Sequence, residues 1–389
     1  MIRLYRLCLT WICAFIISIA GTLWVNGKEE TKNEEVLDLN AKAAVLLDGH
    51  TGRVLYGKNE KEPLAMASTT KIMTCLIALE NAKLDDKVMI SDYAASMPDV
   101  QLNAAAGDTF YMKDLLYSLM LESHNDVAVA IAEHVGGSEE HFAELMNDRA
   151  KEIGCIHTNF VTANGLDAKN HYTTAEELGK ITYEALQNEI FVEIINTREY
   201  KFSNIEDTKN YYVYNKNKFL DMMPGAYGVK TGYTNQAGYC FVGAIDNHNE
   251  TYISVVLGSG WPPHQNVKWQ DTKTLMNYGL QYYDLQWVGV DQLELGTLSI
   301  IDGIENEVNL LVDCEKEKLL VKESDQISIR ILRELQKQAP VVENEIVGWV
   351  YYLINNNPVC KYPIYIQESI KEKTYGYCLC KTLCILWMD

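Results

Sequence analysis

Two apolar runs, Ala43-Ala44-Val45-Leu46-Leu47 and Arg53-Val54-Leu55-Tyr56, flank the turn-forming string Asp48-Gly49-His50-Thr51-Gly52, a pattern that predicts a β-hairpin. From Met66 to Ala82 neither Gly nor Pro interrupts the chain, and apolar residues fall on nearly every side of a helical projection. A helix that is hydrophobic all round belongs in a core. Lys113 to Leu121 and Asp126 to Val135 repeat the helical spacing. Ser138 to Glu152 reads as a helix with an acidic first turn and a stop at Gly154. Thr173-Thr174-Ala175-Glu176-Glu177 carries two overlapping capping boxes and opens a further helix. Gly238 to Ile245 and Tyr252 to Ser259 are β-rich runs around Asp246-Asn247-His248-Asn249, and an amphipathic helix is expected from Asp271 to Tyr283.

Beyond Leu285 the rhythm shortens. Gly296–Ile301, Glu307–Val312, Glu317–Val321, Gln326–Ile331, Ile346–Ile354 and Tyr362–Ile366 read as short strands separated by turn residues, the pattern of a small β-sandwich. The last residues mix Lys371, Lys373 and Lys381 with Tyr375, Tyr377, Leu379, Leu383 and Trp387. Their apolar stretch is too short to span a bilayer, and an amphipathic helix lying in a membrane interface suits it. An ordinary helix packed on the sandwich is the alternative. The expected class is α+β: an antiparallel sheet with a helical cluster, then an all-β sandwich, then an amphipathic helix. The expected divisions are 1–27 (signal or anchor), 36–284 (catalytic), 285–366 (sandwich) and 367–389 (tail).

Charge and composition exclude several classes. The chain of 389 residues is 48% hydrophobic and 22% charged, which fits a globular protein. A net charge of −19 without a basic block argues against nucleic acid as a partner. Arg3 and Arg6 precede an apolar run from Leu7 to Ala20, and Ser18-Ile19-Ala20 offers the small residues of a cleavage site. An export signal is expected, with an uncleaved anchor as the alternative; either way the working domain lies outside the cytoplasm. Cys8 and Cys13 fall in this segment, Cys378, Cys380 and Cys384 crowd the tail, and Cys75 and Cys240 sit in apolar runs, as buried thiols do. Neither a disulfide framework nor a zinc site is expected, and no cofactor.

Three strings carry the chemistry: Ser68-Thr69-Thr70-Lys71, Ser123-His124-Asn125 and Lys230-Thr231-Gly232. On a helix Ser68 and Lys71 share one face, so the amine reaches the hydroxyl. Desolvation disfavours the charged ammonium and moves Lys71 toward a neutral base for the nucleophile Ser68. Alone, S-x-x-K is a common surface pair; burial gives it weight. Ser123 and Asn125 lie between two helical runs, where the hydroxyl can relay a proton and the amide can hold substrate, although Ser-x-Asn by itself is an ordinary helix-capping feature. Lys230 and Thr231 offer a cation and a hydroxyl to a substrate carboxylate, and Gly232 permits close backbone approach. The backbone N–H of Tyr233 can join that of Ser68 as an oxyanion hole.

The trio in this order marks active-site serine enzymes of the penicillin-binding kind. The chain resembles the serine-type D-alanyl-D-alanine carboxypeptidases, low-molecular-mass penicillin-binding proteins. The similarity extends to Leu102-Asn103, Gly107-Asp108, Asn164-Gly165-Leu166-Asp167, His171-Tyr172-Thr173-Thr174-Ala175 and Gly228 to Thr234 with Ala237-Gly238-Tyr239. It is strong over residues 39–283. One departure is His124, where the family usually has a small residue; it is expected to narrow the cleft or perturb proton transfer. The resemblance implies a β-lactamase/transpeptidase-like domain and removal of the terminal D-alanine from peptidoglycan stem pentapeptides. It also implies an acyl-enzyme on Ser68, with penicillins as mimics of the same dipeptide. A class A β-lactamase is the nearest alternative, but Cys155 to Asn170 lacks the Glu-x-x-Leu-Asn segment such an enzyme needs. A non-catalytic wall-binding protein would be expected to carry a damaged motif, and none is damaged.

Overall fold

The structure, a computed structural model, describes residues 36–290 and 292–386. The expected signal or anchor at 1–27 lies outside these residues, as does Trp387 of the tail.

The first hairpin forms as read, with strands β1 (Ala43–Asp48) and β2 (Val54–Lys58). All six positions of β1 are buried, because apolar side chains point to both faces of a sheet covered on both sides. Helices follow: α1 (Lys71–Asn81), α2 (Met112–Leu121), α3 (Asn125–Gly136), α4 (Glu139–Glu152), α5 (Ala175–Ala185) and α6 (Glu189–Asn196). Two of them, α4 and α5, start at caps the sequence advertises. Ser138 accepts from the His141 N–H, and of the two overlapping boxes the Thr174–Glu177 pair is used. The apolar run at Met66 does not start as an α-helix. Ala67–Thr70 is a 3₁₀ turn leading into α1, with Ala67 at φ 49°.

The chain then returns through β3 (Ala226–Thr234), β4 (Gly238–Asn247), β5 (Glu250–Leu257) and α7 (Val267–Tyr282). The helix begins four residues before the expected Asp271. His248 and Asn249 both adopt positive φ and close the β4–β5 hairpin as a two-residue loop. The five strands form one antiparallel sheet in the order β2-β1-β5-β4-β3, which leaves β3 at an edge. One face packs through Val45, Leu47, Val242 and Val255 on the helical cluster. The other packs through Leu46, Phe241 and Val256 on Trp269, Leu275 and Met276 of α7. Asp271 of α7 binds the chain entering β1, accepting from the backbone N–H groups of Asn40 (3.0 Å) and Ala41 (2.8 Å).

The second domain holds β6 (Tyr283–Val288), β7 (Thr297–Ile301), β8 (Glu307–Val312), β9 (Glu317–Lys322), β10 (Ile327–Arg333), β11 (Gln336–Gln338), β12 (Ile346–Ile354) and β13 (Asn357–Ile366). A six-stranded sheet, β10-β12-β13-β8-β7-β11, packs against the β6–β9 pair, with Val288, Leu319 and Val321 meeting Leu298, Val350 and Ile364 in a shared core. Strand β6 runs on directly from α7, so the division at 284/285 falls inside a strand. Arg53 spans the two domains, pairing with Asp325 at 3.4 Å and donating to the Leu320 carbonyl.

The tail divides in two. Residues around Ile370 and Lys371 remain bonded to the β-domain, and only Tyr375–Leu386 forms a helix, α8. Tyr375, Leu379 and Leu383 are exposed on it. No helix among the described residues is long and apolar enough to cross a membrane. Cys75, Cys155 and Cys240 are buried free thiols, and Cys378, Cys380 and Cys384 are exposed on α8.

Candidate active site

From Met66 to Ala78 every residue is buried except Ser68. The 3₁₀ turn lifts that one hydroxyl out of the core while its neighbours anchor the helix beneath it. Two bonds hold the turn. Thr69 Oγ1 donates to the Met66 carbonyl (2.6 Å), and Thr70 Oγ1 donates to the Ala67 carbonyl (2.8 Å). Thr70 Oγ1 also meets His171 Nε2 at 2.9 Å. His171 Nδ1 accepts from the Val161 N–H (3.0 Å), so the proton sits on Nε2 and points at Thr70. Burial lowers the His171 pKa to about 4, which keeps this ring neutral and its tautomer fixed.

Lys71 is completely buried. Its Nζ lies 3.1 Å from Ser68 Oγ, 2.8 Å from Asn125 Oδ1 and 2.6 Å from the Asn164 carbonyl. Asn125 Nδ2 donates to the Pro98 carbonyl (3.0 Å), which fixes the amide with its oxygen toward the lysine. Two of the three neighbours can therefore only accept. A neutral amine gives its two N–H groups to them and turns its lone pair toward Ser68. Desolvation pushes the Lys71 pKa well below the usual lysine value, and the nearby Lys230 charge lowers it further. Buried Asp126 opposes the shift, but its oxygens are engaged by the N–H groups of Leu102 (3.0 Å) and Asn103 (3.1 Å).

Asn125 opens α3, and Ser123 precedes it at φ 72°, a conformation that costs a non-glycine residue about 1–2 kcal/mol. Strain of this kind gathers at functional sites. Ser123 Oγ is buried without a hydrogen-bond partner. His124 does not stand in an open cleft: it is buried, with Nδ1 2.7 Å from Ser118 Oγ of α2 and Nε2 3.6 Å from Glu122. Burial lowers its pKa to about 4.

Edge strand β3 forms the opposite wall. Lys230 is buried, its Nζ donates to the Thr231 carbonyl (3.2 Å), and desolvation brings its pKa down to about 7. A Cβ on Gly232 would stand 3.0 Å from the Ser68 nitrogen and 3.1 Å from the Thr69 nitrogen, so this glycine lets the strand press on the turn that carries Ser68. The geometry thus gathers Ser68, Lys71 and Asn125 into direct contact, with Lys230 to Tyr233 across from them. Asn164 and His171 were not among the site residues the sequence singled out. Asn164 acts through its carbonyl, which carries no side-chain signature, and Gly165 beside it is the legible mark. Gly165 adopts φ 83°, and a Cβ there would fall 2.1 Å from the Ala67 oxygen. Among the described residues no group of His, Cys, Asp or Glu is arranged to hold a metal ion.

Residues 28–260 match the family model described as D-alanyl-D-alanine carboxypeptidase. The chain belongs to the D-alanyl-D-alanine carboxypeptidase family. Members are serine-type hydrolases, and residues 291–372 match the model of the penicillin-binding protein 5 C-terminal domain. D-alanyl-D-alanine carboxypeptidase DacF of Bacillus subtilis is 30% identical over 365 residues, 92% of each chain. A D-alanyl-D-alanine carboxypeptidase of a Streptomyces species is 31% identical over 293 residues, covering 71% of this chain and 99% of the relative. Among solved structures, penicillin-binding protein 5 of Haemophilus influenzae covers 87% of this chain and 100% of its own, with a TM-score of 0.71 at 24% identity, a likeness of fold. A Streptomyces DD-transpeptidase covers 63% and 98%, at TM-score 0.59 and 31% identity.

Gly165→Ala should destabilise this carboxypeptidase-family protein by at least about 2 kcal/mol, since it adds both a clash and a left-handed Cβ. Urea unfolding of the purified variant beside the parent protein checks this.

Proposed function

We propose that the protein removes the terminal D-alanine from peptidoglycan stem pentapeptides through an acyl-enzyme on Ser68. The contact of a desolvated Lys71 Nζ with Ser68 Oγ at 3.1 Å carries this proposal. Ser68 Oγ attacks the carbonyl of the penultimate D-alanine, and its proton passes to the Lys71 lone pair. The oxyanion rests between the N–H groups of Ser68 and Tyr233. The carbon–nitrogen bond breaks as the proton held on Lys71 is relayed through the Ser123 hydroxyl to the departing amine. Lys230 and Thr231 hold the carboxylate of the leaving D-alanine. Asn125 orients Lys71 and faces the acyl side of the substrate. Water then attacks the ester with Lys71 again taking the proton, and the acyl–oxygen bond breaks as Lys71 returns that proton to Ser68 Oγ, freeing the shortened peptide. A positioned base of this kind contributes on the order of 10²–10⁴ in rate. A carbonyl from Asn164, not a carboxylate, lies beside the nucleophile, which suits a peptidase better than a class A β-lactamase.

Penicillins enter the same site and leave their acyl group on Ser68. The enzyme works outside the cytoplasm, in the cell-wall space, after export directed by the N-terminal segment. Helix α8 lies on the membrane surface through Tyr375, Leu379 and Leu383, and the β-domain spaces the cleft away from it.

Ser68→Ala should abolish D-alanine release from a D-Ala-D-Ala pentapeptide and eliminate the mass increase on treatment with penicillin. Intact-protein mass spectrometry and a D-alanine assay read both; release that survives in the variant refutes the mechanism. Lys230 must carry its proton to bind a carboxylate, and its pKa in the unliganded site is about 7. KM should therefore rise about tenfold per pH unit once the pH passes above that value, while a substrate ending in an amide should show no such rise. Truncation before Gln367 should release the processed protein from membranes into the soluble fraction; continued sedimentation with vesicles would remove the anchoring role from the tail.

A further inference from the structure

Ser68, Lys71 and Asn125 are fixed by their own hydrogen bonds, whereas Ser123 Oγ is buried without one. Where that oxygen sits is therefore decided by its backbone, which stands at φ 72°. A serine keeps such a conformation only where its surroundings impose it.

Two anchors flank the residue. Toward α3, the Asn125 N–H donates to the Val100 carbonyl (2.7 Å), and the Asn125 amide is tied to Pro98 and Lys71. The other anchor is His124, next in the chain. Its buried ring enters the interior against α2, with Nδ1 2.7 Å from Ser118 Oγ and Nε2 3.6 Å from Glu122. Glu122 is itself held: its carboxylate pairs with Lys216 (3.2 Å) and accepts from the Tyr214 N–H (2.9 Å). A carboxylate only accepts, so it draws the ring proton to Nε2 and leaves Nδ1 to accept from the Ser118 hydroxyl. The imidazole is thus secured at both nitrogens, one residue away from Ser123. A small side chain there could make neither contact.

We propose, on the mechanism given above, that His124 is a positioning residue that holds the Ser123 hydroxyl where it delivers the proton to the departing amine. Amide cleavage needs that proton, because an amine does not leave the tetrahedral intermediate as its anion. An ester in the same place loses an alkoxide with far less help. Asn125 keeps three contacts of its own whatever the ring does, so the pairing of Lys71 with Ser68 and the attack step do not depend on His124.

The test compares the full-length enzyme on a pentapeptide ending in D-Ala-D-Ala and on the depsipeptide ending in D-Ala-D-lactate. Both present the same carboxylate to Lys230 and Thr231, and kcat/KM reads the steps up to departure of the leaving group. His124→Ala should lower kcat/KM on the amide on the order of 10²-fold and on the ester by less than about threefold. His124→Asn, whose Oδ1 stands near the place of Nδ1 and can accept from Ser118, should restore the amide reaction to within about fivefold of the parent protein. Ser118→Ala should reproduce part of the loss in the parent and add nothing to His124→Ala. Equal losses on amide and ester, an Asn variant no better than the Ala variant, or an undiminished amide reaction in His124→Ala reduces the ring to a packing group and overturns the inference. Should His124→Ala fail to fold, the ratio of amide to ester reaction in Ser118→Ala decides: a fall supports the positioning role and an unchanged ratio overturns it. No release of D-alanine by the parent enzyme overturns the carboxypeptidase function and this inference with it.

Discussion

A buried amine with two acceptors and one hydroxyl around it is the constraint on which the rest depends. Asn125 Oδ1 and the Asn164 carbonyl claim the two N–H groups of a neutral Lys71, and Ser68 receives the remaining direction. Were Lys71 an ammonium, all three directions would carry protons and no lone pair would face the nucleophile. Desolvation decides between these states, because a buried charge must give up its hydration. The fully buried surroundings of α1 are therefore part of the chemistry as well as of the core.

The scaffold supports this contact from three sides. The neutral His171 clamps Thr70 and so the turn that presents Ser68. The Ser123–Asn125 turn is held against α2 by His124, whose ring occupies the interior beside Ser118. Edge strand β3 closes the third side, where Gly232 lets its backbone reach the Ser68 nitrogen. Each support uses a feature that is costly elsewhere: a buried imidazole, a left-handed serine, a sheet edge. Their concentration in one place is the physical mark of the site.

Much of this was legible in the chain. Continuous apolar runs at Ala43–Leu47 and Met66–Ala82 gave a hairpin strand and a buried helix, and Thr174 and Ser138 gave helix starts. The motif strings gave Ser68, Lys71, Ser123, Asn125 and Lys230 to Tyr233 as candidates. What escaped follows from physics that composition does not carry. The 3₁₀ turn at Ala67–Thr70 depends on side-chain bonds and on strand β3 pressing from far along the chain. The hairpin of Glu199–Ser203 and Asn210–Tyr214 was missed although its alternation is present; Tyr200 stacks on Tyr117 of α2 at 3.8 Å, and that partner decides its state. Helix α6 likewise hid behind a short apolar cluster after Asn188. The tail helix starts only at Tyr375 because the residues before it find backbone partners in the β-domain.

The most direct measurement is an NMR titration of the Lys71 side chain in protein labelled with carbon-13 at lysine Cε. The resonance should titrate with a midpoint well below that of the exposed lysines, and Lys230→Met should move that midpoint upward by removing a like charge. A Lys71 that titrates together with the exposed lysines, near the ordinary value of about 10.4, would contradict the account.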